Sequence, residues 1–577
     1  MVFAYEASGL GFGLYDELTE AGITCHVLAP TKPSLYTYDL PGQDLAADLA
    51  APATTPEPVE EEDGTWTITV PLRSDARWSD GRPITSADVV FTFEAVRDLE
   101  LPGGWDTAFP IVEESSAQLG LVAVEAPDPD TVVFRYNGEP GLPFWPNGPG
   151  TAPIMPSHFW QEAVDEAQTS SDPATTLFAW PGEGDPSGGP LTVTGFGSTR
   201  VVAEPNVNYH RRGDEVTSGG VTYRLGPFVD GVEYHVFAGQ REALAALADG
   251  TVDIVLSPAG LDRPGAGFAV ENPDLTMVRN ETNSFRYLAF NLRRPPMSSR
   301  QFRAALDVMI DRRFMVDQLL QGEAYPLYST ISPANPRWYD GDEADSFAAE
   351  TGGMSTEERL VEAVRLLEEG GFTWEQTPAF VDNAVVPGSG LMLDGEPVPP
   401  IRLWAPGEAF DPQRATYALW IGHWAGQLGF DVDVELTDFT SLVGTAFTPT
   451  ADGEDIDFDM YVLGWRIPSP ALPVYHESFW GSGNDTLVNN GNNNTGFSDG
   501  RFDTFVEEFN GERSESEALD ILWEMERIIF EEKPYLVLFD TGIAEAYRND
   551  RVEFPFTRLV SGLQSGDGLP AMVVPIR

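Results

Sequence analysis

The chain has 577 residues and a formal net charge of −57, from 91 Asp and Glu against 34 Lys and Arg, with 42% hydrophobic and 11% aromatic residues. That length exceeds one core and predicts two or three domains, while the apolar share excludes the disorder that usually accompanies so large a charge. So acidic a chain also excludes nucleic acid as a partner, because that binding relies on neutralising phosphates with Lys and Arg.

The carboxylates are spread along the whole length, which predicts a uniformly acidic surface rather than an acidic tail or a calcium cage. Self-repulsion of this size destabilises the compact state, and a Debye length of about 3 Å at 1 M salt relieves it. Folding in molar salt, as in a halophile's protein, is the expectation.

In chain order, residues 2–32, VFAYEASGLGFGLYDELTEAGITCHVLAPTK, stand apart from the rest. They resemble part of the acidic-site nuclease domain of insertion-sequence transposases, which carry Y-E-A-x-G-x-x-G-x-x-L-Y-x-x-L-x-x-x-G-I-x-x-x-V-x-A-P. The resemblance implies that Glu6 matches a metal-ligating glutamate of those enzymes. The downstream aspartates of that set are missing, so a remnant of a nuclease fusion is an alternative rather than the main reading. The segment shows no charged n-region, apolar h-region or cleavage site, and no transmembrane run follows. A mobile element inserted near the start of the gene accounts for the change of character near Pro33; on that reading a first strand and an export signal have gone.

Residues 34–63 read as an entry segment and a linker punctuated by Pro52, Pro56 and Pro58. From Thr65 the sequence TWTITVPLRSDARWSDGRPITSADVVFTFEAV joins an alternating strand to a turn at Ser79-Asp80-Gly81 and to a helix. Thr85 is its N-cap, with Asp88 three residues on at the positive helix end. Val89, Val90, Phe93 and Val96 form its buried stripe. Helices are also predicted from Ser157 and over residues 356–370. QREALAALADGTVDI, residues 240–254, reads as a helix ended by Gly250 and followed by a strand. Asp457-Phe458-Asp459-Met460-Tyr461 alternates like a strand with its carboxylates outward, and residues 482–496 form an Asn- and Gly-rich loop.

The block at Thr65 resembles W-S-D-G-x-P-x-T-A-x-D-V-V-F-T/S-F, the signature of extracellular solute-binding proteins, family 5, the peptide/nickel type that serves ABC importers. Further matches follow in order: Pro205 to Tyr209, Gln240 to Ile254, RYLAFN at 286–291, FRAAL at 302–306, Ile310-Asp311-Arg312, Leu463-Gly464-Trp465 and Glu532-Lys533-Pro534-Tyr535. The resemblance implies an α/β fold of the periplasmic-binding-protein class II, with two lobes in three subdomains around a ligand cleft. Its expected divisions are an accessory subdomain of lobe I at 64–182, the lobe I core at 183–284, lobe II at 285–531, and a return to lobe I at 532–577.

Searches for chemistry find no Gly-x-Ser-x-Gly, P-loop or His-Glu-x-x-His. The histidines at 26, 158, 210, 235, 423 and 476 are scattered, and Cys25 is the single cysteine, so no enzyme, metal site, cofactor or internal disulfide is expected. The family resemblance places ligand contacts at Trp465, with Gly464, Arg466 and Phe439 beside it and Trp105 and Phe109 in the first lobe. Peptide binders of the family carry an acidic residue three positions after the tryptophan; Pro468 stands there instead. Arg466 offers a planar fork to a carboxylate or to sugar hydroxyls. The expected partners are a small solute, either a peptide or an oligosaccharide, and the permease and ATPase subunits of an importer, with the protein a monomer at the extracellular face of the membrane. A solute sensor without transport is the further alternative.

Overall fold

The computed structural model describes residues 2–6, 29–51, 55–101, 111–116, 118–180, 182–197, 199–256, 260–321, 324–408, 411–467, 472–560, 562–563 and 569–576. Trp105, Phe109, Cys25, His26 and Pro468 lie outside them. The chain forms two compact units: one of Met1–Glu281, Asn510–Arg513 and Gly542–Arg577, the other of Thr282–Phe509 and Ser514–Thr541.

The first unit holds a seven-stranded sheet in the order Leu275–Asn280, Ile543–Arg548, Ile254–Leu256, Val2–Glu6, Val232–Phe237, Arg200–Pro205, Leu191–Gly197. Val2–Glu6 runs parallel to both neighbours, with Phe3 opposite Tyr234 on one side and Ile254 on the other. The expectation that the first strand had gone is therefore corrected: the start of the transposase-like segment occupies the middle of this sheet. Val, Phe and Tyr are strong strand formers, and the helix Gln240–Asp249 is the crossover that parallel strands need. Gly250 ends that helix at φ +80°, as its C′ position requires.

A four-stranded antiparallel sheet, Val59–Glu60, Trp66–Pro71, Thr131–Tyr136 and Leu121–Asp128, packs against the helix Ser86–Asp98. Ile68, Val70, Trp78, Val89, Phe93, Phe134 and Trp160 fill the core there. The Thr85 amide donates to Asp88 Oδ2 at 2.9 Å, closing the predicted helix start, and Gly81 sits at φ +89° in the turn before it.

The second unit holds a six-stranded sheet in the order Ala324–Pro326, Tyr535–Thr541, Ser284–Phe290, Met460–Arg466, Ile401–Pro406, Val432–Thr437. Leu288, Phe290, Met460, Val462 and Leu403 join Phe302, Leu306, Tyr417 and Ile421 in its largest core, so helices Arg300–Met309 and Pro412–Leu428 cover that face. Tyr535–Thr541 pairs with Ser284–Phe290, which moves the return to the first unit from residue 532 to Gly542.

Two local expectations also change. Asp459 is buried rather than outward, because its carboxylate accepts from Arg294 Nη1 at 3.0 Å and from the Arg402 amide at 2.9 Å. The Asn-rich stretch carries fully buried Asn493 and Asn494: Asn493 donates to the carbonyls of Gly481 and Phe497, and Asn494 to that of Ala446. Among the described residues no helix is long and apolar enough to cross a membrane.

Candidate ligand-binding site

The strand Met460–Arg466 is an uneven member of its sheet. All seven residues pair antiparallel with Ser284–Phe290, whereas on the other side only Met460 and Tyr461 pair, with Leu403 and Trp404 of Ile401–Pro406. Residues 462–465 therefore have no strand partner on that side among the described residues. Gly464 and Trp465 lie on this one-sided stretch and Arg466 follows them, and burial falls from Leu463 outward: Gly464 and Trp465 are half-buried and Arg466 is exposed.

Side chains alternate across the sheet, so Trp465 and Gly464 face opposite ways. The Trp465 ring stacks on Phe479, with centroids 4.2 Å apart and planes inclined by 16°, and meets Phe447 edge-on at 5.9 Å. Phe479 belongs to the helix Tyr475–Trp480, whose His476 is buried against Glu526, with Nε2 2.6 Å from Oε1.

Gly464 stands opposite Arg286. A Cβ at Gly464 would come 3.1 Å from Arg286 Cδ and 3.2 Å from Cγ, so the aliphatic stem of Arg286 lies across the glycine. Arg286 Nη1 donates to the Ser284 hydroxyl at 2.8 Å and to Asp540. Asp540 is fully buried and also accepts from Thr282 at 2.8 Å, Ser284 at 2.6 Å, Tyr325 at 3.1 Å and the Thr541 amide at 2.7 Å. Burial pushes its carboxyl pKa up, and the Arg286 charge and these donors oppose that rise. The network holds Arg286 by one end while its side chain keeps 21% of its surface exposed.

Phe439 opens the helix Phe439–Ala446, which Asp438 caps through the Ser441 amide at 2.9 Å. It is partly exposed, with the Arg414 guanidinium 5.8 Å from its ring centre. Arg414 lies in the first turn of Pro412–Leu428 and bonds Asp411, its Nε donating to Oδ2 at 2.7 Å. Burial pushes the Arg414 pKa down against the pull of Asp411, and Arg286 is the positive charge that adds to this fall.

Of the residues read from sequence, then, Gly464, Trp465 and Arg466 fall on one strand end, and Phe439 lies beside Arg414 on other elements of the same unit. Arg286, Arg414 and Asp540 were not singled out for a site. The available signal was an arginine inside the otherwise apolar strand SFRYLAF. The described histidines are in paired or aromatic surroundings, such as His210, 2.6 Å from Asp48. No group of three or more His, Cys, Asp or Glu among the described residues could hold a metal ion.

Comparison with known proteins puts this geometry in a family. The chain is 26% identical over 430 residues to Protein XP55 of Streptomyces lividans, covering 73% of this chain and 66% of that protein. It is 22% identical over 428 residues to the oligopeptide-binding protein AppA of Bacillus subtilis, covering 73% and 67%. It thus spans about two thirds of the length of these curated relatives. Its fold matches the solved structure of B. subtilis AppA in complex with a nonapeptide, with a TM-score of 0.67 at 17% identity, over 100% of this chain and 99% of that one. It also matches NikZ of Campylobacter jejuni in complex with Ni(L-His), with a TM-score of 0.68 at 17% identity, over 98% and 97%. These matches carry the α/β periplasmic-binding fold along the whole chain. The family model described as bacterial extracellular solute-binding proteins, family 5 Middle, matches residues 44–486, well over half the chain. The protein therefore belongs to the bacterial extracellular solute-binding proteins, family 5, which are binding proteins and not enzymes.

Proposed function

We propose that this protein is the substrate-binding component of an ABC importer, taking up a peptide or related solute at the extracellular face of the membrane and passing it to a permease. The observation that carries the reading is the one-sided stretch at residues 462–465, which includes Trp465. An unpaired edge offers N–H and C=O groups to an extended ligand, and main-chain bonding of that kind gives affinity without reading side chains. Trp465, Arg466 and Phe439 add aromatic and cationic contacts around it. Family membership supports a binding role, and the AppA relative is a peptide binder by name.

The acidic residue that peptide binders place after this tryptophan is replaced by Pro468, so another group would have to meet the ligand's amino end, or the ligand is of another class. A thermal-shift panel separates these outcomes, since a ligand selective for the folded state raises the melting temperature by mass action. Di- to hexapeptides are expected to raise it. A shift with oligosaccharides alone would move the assignment to a sugar, and no shift with either would remove the proposal.

A further inference from the structure

We propose that the second unit carries a halide-binding site in the cavity between Arg312 and Lys533. The ligand class is a monatomic anion such as chloride, held by two buried cations that share one carboxylate. The proposal does not rest on the solute-binding reading.

The first observation is a buried charge triad that does not balance. Asp307 comes from the helix Arg300–Met309, Arg312 opens the short helix Arg312–Phe314, and Lys533 caps the helix Glu515–Glu532; all three line the cavity. Arg312 Nε donates to the Val537 carbonyl at 2.7 Å and Nη2 to Asp307 Oδ1 at 2.6 Å, while Lys533 Nζ donates to Asp307 Oδ2 at 2.7 Å. The side chains keep only 3% (Arg312), 5% (Asp307) and 11% (Lys533) of their surface exposed. Burial alone would raise the Asp307 pKa, but Lys533 and Arg312 outweigh it and hold the carboxyl well below its ordinary range. One carboxylate thus answers two cations, which leaves one positive charge in excess.

The second observation is that the unmet groups of the cavity are donors. Arg312 Nη1 is buried and has no protein partner among the described residues. Lys533 has three donors; Asp307 takes one, and the Phe530 ring centre lies 3.9 Å from Nζ. The other carboxylate of the cavity, Glu526, is engaged elsewhere: Oε1 is 2.6 Å from His476 Nε2, and Oε2 accepts from the Ser329 hydroxyl at 2.8 Å and the Thr330 amide at 3.0 Å. His476 Nδ1 faces the Pro473 carbonyl at 3.0 Å, so both ring nitrogens face acceptors and the imidazole balances Glu526. A buried donor without an acceptor is costly, and so is a buried charge without a counter-charge. Water would meet the first demand; an anion meets both.

Size and composition narrow the ligand. The cavity measures about 10 Å³, the space of one water-sized particle, which excludes carboxylates, phosphate and sulfate and leaves a monatomic anion. Lysine occurs at only two positions of the chain, 32 and 533. Lys32 pairs with Asp185, whereas Lys533 is a second cation on a carboxylate that Arg312 already neutralises. At a net charge of −57 the surface field repels anions, so a site for one has to be built from buried cations in this way.

The test takes two readouts on the intact protein. Anomalous diffraction from crystals moved from KCl to KBr shows whether bromide lies within hydrogen-bond reach of Arg312 Nη1 and Lys533 Nζ. Thermal melts at about 1 M potassium, with chloride or bromide replacing gluconate stepwise, hold ionic strength and screening constant. The expected result is a bromide peak in the cavity and a melting temperature that rises by about 2–5 °C and saturates, because a ligand of the folded state stabilises by mass action. A general salt effect would instead run on without saturating and be shared by every variant. Lys533→Met leaves the neutral Arg312–Asp307 pair, and Arg312→Lys keeps the charge but removes Nη1; each is expected to lose the rise. Arg365→Gln, on the exposed face of the helix Thr356–Glu369, is the control that keeps it. A cavity without bromide overturns the site. So does a bromide peak without a saturating rise, which marks an adventitious ion only, and so does an undiminished rise in folded Lys533→Met. Where a variant does not fold, the two readouts on the intact protein decide.

Discussion

Trp465 lies face to face on Phe479, the two centroids 4.2 Å apart, so the residue with the strongest family resemblance at the site is oriented by a helix that follows it in sequence. Phe479 is 5% exposed. Phe479→Ala is expected to cost about 3 kcal/mol of stability through the cavity it leaves. It should also weaken ligand binding by about 3- to 10-fold, since a stacked aromatic pair is worth about 0.5–1.5 kcal/mol beyond its area. Denaturant melts and calorimetry on the same variant check the two effects.

That helix is anchored from below. His476 Nδ1 faces the Pro473 carbonyl at 3.0 Å and Nε2 faces Glu526, which also accepts from Ser329 at 2.8 Å and from the Thr330 amide at 3.0 Å. Burial alone would raise the Glu526 pKa, but His476 and these hydroxyls outweigh it and hold the carboxyl below its ordinary range. A lowered carboxyl contributes stability that is full above the unfolded value of about 4.3 and is lost as pH falls through the folded value. Glu526→Gln is expected to cost about 3–5 kcal/mol at neutral pH, the range for breaking a buried pair. It should also flatten the acid limb of a stability-against-pH curve below about pH 4.

The net charge of −57 makes a separate demand. Raising KCl from about 0.1 M to 1 M shortens the Debye length from about 10 Å to about 3 Å, which should stabilise the fold by several kcal/mol. The melting temperature is expected to rise by about 10 °C or more. A scan across salt concentration checks this, and full stability in dilute buffer would contradict it.

Deletion of residues 2–6 tests the correction at the N-terminus. The strand has a ladder on each side, with Val232–Phe237 and Ile254–Leu256, so its removal opens two inner edges of the sheet. Loss of the cooperative melt of the first unit is expected by circular dichroism. A truncated chain that melts like the full one would mean that the strand is dispensable.

Much of this was legible in the sequence, for a local reason. The capping pair Thr85 and Asp88, the turn at Gly81 and the helix end at Gly250 depend on residues within four positions of each other, and the structure reproduces them. What was missed is set by pairing between distant segments. Arg286 acquires its place from Gly464, which is 178 positions away and adjacent only through the antiparallel register. Asp459 turns inward because Arg294 and Arg402 reach it from two other segments. Residues 2–6 were read by resemblance to an unrelated protein, although their own composition fitted a strand. Trp105 and Phe109 lie outside the described residues.

The central claim is that a solute binds along the strand Met460–Arg466, which carries Trp465. Calorimetric titration of a binding peptide into the intact protein and into Trp465→Ala, in about 1 M KCl, tests it most directly. The account predicts measurable affinity for the intact protein and a loss of about tenfold or more in the variant, with the variant still melting cooperatively. Unchanged affinity in a folded Trp465→Ala protein would contradict it.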